Sequence, residues 1–88
     1  MAELRVEIDA LDTALIDLLV ARKGYIDRAV DLKRIENLPA RIDDRVEEVV
    51  SNVRTAAEAR GLDGDLAETL WRRLIEWSIA RESKSLGE

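Results

Sequence analysis

Eighty-eight residues, 47 % of them apolar and 38 % charged, with one Pro, four Gly and no Phe, describe a single small helical domain, residues 1–88, rather than a disordered or β-rich chain. The formal charge of −5 argues against coating nucleic acid or an anionic membrane surface, because both rely on a surplus of Lys and Arg. With no His and no Cys there is no imidazole base, thiol nucleophile, disulfide framework or ordinary zinc or haem site, so no metal and no cofactor are expected. Met1-Ala2-Glu3-Leu4-Arg5 lacks the basic start and apolar run of a signal peptide, and no stretch approaches the roughly 18 apolar residues of a membrane span. The expected location is the cytoplasm.

The first predicted helix runs from about Glu3 to Glu36 on an apolar stripe of Leu4, Ile8, Leu11, Leu15 and Leu18 at steps of three and four. Asn37-Leu38-Pro39 ends it, because the residue before Pro resists the α conformation. At 1.5 Å per residue such a helix is on the order of 50 Å long, more than the width of an 88-residue globule, so it should project and pair with a second chain. A second helix starts near Asp43 or Asp44, buries Val46, Val49, Val50, Val53, Ala56 and Ala57, and stops at Gly61, a left-handed cap. A third starts after Asp63 or Asp65, with Asp65-x-x-Glu68 as a capping box, and continues through Leu70, Trp71, Leu74, Ile75 and Ile79 to about Leu86. The fold class is therefore all-α, with three helices and a very long first one. No segment repeats, and no glycine-rich phosphate cradle is present.

Charged residues break the apolar stripes. Past Leu18 the first stripe continues as Arg22, Ile26, Ala29 and Lys33, and cations are almost never fully buried unless paired. Arg45 falls in line with Val49 and Val53, and Ser78 and Glu82 fall in line with Trp71 and Ile75. Two readings stand side by side. These side chains either lie at the bundle's edge and send their charged ends to water along apolar stems, or share one cavity that wants an anion. Arg22 and Lys33 are eleven residues apart, about 20° out of register and ~16 Å along the axis, a gap that suits a molecule of about ten to sixteen heavy atoms. The other charges, Asp43-Asp44, Glu47-Glu48 and Arg72-Arg73 among them, read as solvated faces with i,i+4 partners. Trp71, Trp77 and Tyr25 read as core or dimer-interface aromatics.

The order Leu4-Arg5-x-x-Ile8-x-x-Leu11-Asp12, Leu18-Leu19-x-x-Arg22, Lys33, Pro39-x-Arg41, Arg45 and Leu74-Ile75-Glu76-x-Ser78-x-x-x-Glu82 resembles the all-helical chorismate mutase family over nearly the whole chain. The resemblance implies an intertwined helical homodimer with two equivalent sites. Each site would hold Arg22, Lys33, Arg45, Ser78 and Glu82 of one subunit and Arg5 contributed across the interface. The implied partner is a small dianionic substrate, with no nucleic acid and no membrane. The implied reaction is the concerted rearrangement of chorismate to prephenate, which needs no nucleophile, metal or cofactor. The three arginines would hold the two carboxylates as two-point guanidinium contacts. Lys33 and Glu82 would face the ether oxygen on which charge grows. Many relatives carry Gln where this chain has Glu82, and only a protonated Glu can donate in the same way.

A second departure bears on the substrate. Many mutases of this family place a Glu directly after the Arg45 position, and another acid a few residues earlier, against the C4 hydroxyl. This chain has Val46 and Ile42 there. The related isochorismate-pyruvate lyases, which make salicylate and pyruvate, are likewise apolar at this place, and Trp77 with Ile79-Ala80 is similar to that branch. Two further alternatives are rearrangement of the 4-amino analogue of chorismate and, outside catalysis, a helical dimerisation or regulatory module in which Arg22 and Lys33 would tolerate substitution.

Overall fold

The computed structural model describes residues 1–88 as three helices: α1 (Ala2–Glu36), α2 (Asp43–Ala59) and α3 (Gly64–Leu86). The molecule measures 51 × 23 × 15 Å, its long dimension matching the length expected for the first helix. Helix α3 packs against both neighbours, whereas α1 and α2 do not pack on each other. Polar contacts give the directions. Arg22 meets Ser78 and Arg34 meets Ser85, so the second half of α1 runs in the same sense as α3. Glu47 meets Arg72 and Arg54 meets Asp65, so α2 runs the opposite way.

The helix ends follow from local chemistry. At the end of α1, Asn37 takes the left-handed conformation (φ 55°), and the Leu38 N–H returns to the Lys33 carbonyl at 2.8 Å. The stop is therefore made by Asn37 itself, two residues ahead of Pro39. Gly61 (φ 80°) ends α2 in the same way, with Leu62 N–H on the Ala57 carbonyl at 2.9 Å. Of the two expected starts of α3, Asp63 is the cap, and its carboxylate accepts the Asp65 N–H at 2.8 Å, but the expected capping box does not form. Asp65 is already helical, so Glu68 cannot close a capping box with it. Glu68 instead accepts from Arg54 and Arg72.

A small core fills the corner between α2, α3 and the connecting loop. Ala40, Val50, Ile75 and Ile79 are buried, with Val46, Val49, Trp71 and Leu86 packed against them. Only ten of 88 residues are buried, too few for a core that would hold a 35-residue helix along its whole length. Val30 is the one buried residue of α1, and Leu4, Ile8, Leu11, Leu15 and Leu18 stay 47–67 % exposed. The apolar half of α1 thus has no cover within its own chain. Trp71 joins the core as expected, whereas Trp77 and Tyr25 are exposed, with the Arg81 and Arg28 guanidinium carbons 5.8 and 6.0 Å from their ring centres.

The surface charges do pair, but largely between elements rather than at i,i+4. Arg72 grips both oxygens of Glu47 across α2–α3, Arg81 grips Asp27 across α1–α3, and Arg41 ties the loop to Glu76. Arg72 to Glu68 and Arg54 to Glu58 keep the i,i+4 pattern. No helix is long and apolar enough to cross a membrane.

Candidate active site

Where the second half of α1 crosses α3, the charged interruptions of the two stripes meet. Arg22 and Lys33 are separated by roughly 16 Å along α1, while Ser78 and Glu82 are only roughly 6 Å apart along α3. The two long cationic side chains therefore lean towards each other to reach their partners. Arg22 donates from one terminal nitrogen to Ser78 Oγ at 3.0 Å, and Ser78 Oγ in turn donates to the Leu74 carbonyl at 2.8 Å. Lys33 Nζ lies 2.9 Å from Glu82 Oε1 and donates to the Ala40 carbonyl at 2.7 Å.

Together they line a cleft of about 250 Å³, with Arg45 and Val46 of α2 on the opposite wall and Ile26, Ala29, Val49 and Ile75 between. The charged groups differ sharply in exposure. Ser78 and Glu82 are buried, and the Lys33 side chain is 18 % exposed. Arg45 lines the cleft, but its side chain is 63 % exposed and pairs with Glu48 one turn on. Glu82 Oε1 is buried, and its partner is the Lys33 ammonium, held as an ion pair at 2.9 Å.

Of the eight residues singled out from the sequence, the fold brings Arg22, Lys33, Arg45, Val46, Ser78 and Glu82 to this one cleft. It does not bring Arg5, which lies on the uncovered half of α1, or Ile42, which is half-buried at the N-cap of α2 and outside the lining. Two participants escape sequence reasoning. The Ala40 carbonyl is a backbone acceptor, for which side-chain identity gives no signal. Glu48 was read as a solvated charge, although its i,i+3 spacing from Arg45 was available as a cue.

Charges outside the cleft are set by arginine. Hydrogen bonds from Arg81, Arg72 and Arg41 hold the carboxyls of Asp27, Glu47 and Glu76 below their ordinary range, and Arg72, followed by Arg54, does the same for Glu68. Each opposes a smaller pull upward from desolvation, except that at Glu68 desolvation ranks between the two arginines.

Fold and cleft define a class: a small all-helical domain in which a long helix and a parallel one converge cations, a hydroxyl and a buried carboxyl on a compact, partly apolar cavity. The family model for chorismate mutase type II matches residues 4–83, and this chain belongs to that family. Among curated proteins it is 32 % identical over 83 residues to a T-protein of Enterobacter agglomerans and 32 % identical over 84 residues to a T-protein of Haemophilus influenzae. These matches cover 94 % and 96 % of this chain but 22 % of each relative, so the chain spans about a fifth of their length. It is also 32 % identical over 85 residues to an isochorismate pyruvate lyase of Pseudomonas aeruginosa, covering 96 % of this chain and 82 % of that protein. No solved structure gives a significant match.

Proposed function

We propose that this chain is a chorismate mutase, an isomerase that converts chorismate to prephenate by a concerted rearrangement with no covalent intermediate. The observation that carries this reading is the convergence of Arg22 and Lys33 with Ser78 and Glu82 on one cleft. Such a cleft gives a dianion guanidinium and ammonium groups at fixed places, and it gives a developing negative charge a donor that does not have to reorganise. Arg22 holds one carboxylate. Arg45, released from Glu48, holds the other together with Arg5 of a second copy. Lys33 donates to the ether oxygen, and Glu82 stands beside it.

The same reading includes a homodimer. The exposed Leu4, Ile8, Leu11, Leu15 and Leu18 stripe is the face a second copy would cover, and Arg5 stands on that half of α1. At roughly 25 cal/mol per Å², covering five such side chains favours association by several kcal/mol before the cost of association.

Val46 on the cleft wall favours a second reading, isochorismate-pyruvate lyase with side mutase activity, because it gives a substrate hydroxyl no acceptor. The deciding experiment supplies purified protein with chorismate and isochorismate separately, following chorismate loss by absorbance and salicylate by fluorescence. Prephenate formation without salicylate supports the mutase. Salicylate and pyruvate at the higher kcat/KM support the lyase, and inertness to both overturns the two readings together.

A further inference from the structure

A lysine ammonium is a compact point charge on a flexible four-carbon stem, so its direction is set only by the groups it bonds. Lys33 Nζ donates to the Ala40 carbonyl at 2.7 Å and is ion-paired with Glu82 Oε1 at 2.9 Å. Ala40 and Glu82 therefore aim Lys33 together, and what holds Ala40 helps to hold the ammonium.

Ala40 lies in the nonhelical connection between α1 and α2, where no helix ladder fixes the backbone. Its methyl is buried against the core, which fixes its place. Its N–H is taken by Glu88, whose two carboxylate oxygens lie 3.1 and 3.4 Å away. Glu88 is itself aimed. Gly87 takes a left-handed φ of 77°, the Glu88 N–H returns to the Ser83 carbonyl at 2.9 Å, and Ser83 Oγ donates to Glu88 Oε2 at 3.2 Å. Lys33 forms the wall between the central cleft and a more open hollow of about 400 Å³, and Glu88 lines the far side of that wall.

We propose that Glu88 is a positioning residue for Lys33. Through Ala40 it holds the ammonium towards the central cleft without touching anything bound there. This rests, for its effect on rate, on the reading of Lys33 as the group that faces the reacting ether. A charge-assisted hydrogen bond to a backbone N–H is the stronger kind, and a small misplacement of a donor that acts in the transition state is felt in kcat. Glu88→Ala should lower kcat about tenfold and leave KM within about twofold. Glu88→Gln, which keeps an acceptor at the same reach, should restore kcat to within about twofold. Glu88→Asp, with the charge kept and the reach shortened, should behave as the alanine variant. Because Glu88 is exposed and outside α3, these proteins should fold.

The test combines steady-state kinetics on chorismate, a double-mutant cycle with Lys33→Ala, and NMR of the Ala40 amide and the Lys33 ε-methylene in the full chain. If Glu88 acts through Lys33, Glu88→Ala adds less than about twofold to the loss already caused by Lys33→Ala. Both NMR signals shift in Glu88→Ala and return in Glu88→Gln. Additive losses, or a Lys33 signal unmoved by Glu88→Ala, overturn the proposal. Full activity in Lys33→Ala instead overturns the role of Lys33 in the mutase reading, and the NMR signals still decide whether Glu88 orients it.

Discussion

Truncating Arg22 to Ala separates a catalytic domain from a helical dimerisation or regulatory module, because the structure predicts very different costs for stability and for activity. In the folded chain Arg22 makes one hydrogen bond, to Ser78 Oγ. Ser78 keeps its bond to the Leu74 carbonyl when the guanidinium is gone, so no buried hydroxyl is orphaned. The stability loss should be about 1 kcal/mol, the net worth of one hydrogen bond, or about 4–8 °C in a domain of this size. A substrate carboxylate in the cleft would lose a charge-assisted partner worth about 3 kcal/mol. At 1.36 kcal/mol per decade, that is a fall in kcat/KM of more than about 100-fold. Arg22→Lys should fall between, since an ammonium keeps the charge but not the two-point fork. The assay is chorismate loss by absorbance at matched protein concentration, with thermal melts alongside. A fall of less than about fivefold would refute the placement of a carboxylate at Arg22, and unfolding at the assay temperature would refute the small stability cost.

Three other perturbations reach different parts of the argument. Leu11→Asp with Leu15→Asp puts two charges on the uncovered face of α1 and should convert a dimer seen by sedimentation into an inactive monomer; an active, monomeric native protein would overturn the dimer. Glu82→Gln keeps a hydrogen-bonding group beside Lys33 and should hold mutase activity within about twofold of the native protein, whereas Glu82→Ala should lower it by about tenfold or more; equal activity in all three proteins would remove Glu82 from the site's chemistry. The carboxyls of Asp27, Glu47, Glu68 and Glu76 are depressed by their arginine partners, so their folded values lie below the unfolded ones. Their stabilisation is fully present above the ordinary carboxyl range and is lost as pH falls through the folded values, so the melting temperature should drop below about pH 4. Glu47→Gln with Glu76→Gln should lessen that drop, and an unchanged acid limb would show that these exposed pairs contribute nothing.

Much of this molecule is written in its helical phase. A period of 3.6 residues assigns each side chain an angle, so the three helices, their boundaries to within a residue or two, and the inward angle of Arg22, Lys33, Ser78 and Glu82 are determined along the chain. Even the cap at Gly61 is local, because a left-handed residue there needs no tertiary partner. Phase does not say which helix lies opposite. Only the tertiary structure decided that Arg22 meets Ser78 while Lys33 meets Glu82, that α1 packs along α3 rather than α2, and that Arg45 pairs with Glu48. The surface ion pairs make the same point: Arg72 has an i,i+4 partner in Glu68, yet it also spans to Glu47, because helix packing brings a second carboxylate within reach. Least legible was the hold on Lys33. It is a backbone carbonyl in a loop, fixed from the far end of α3, and neither a carbonyl's position nor the path of a loop is encoded by residue type at one place in the chain.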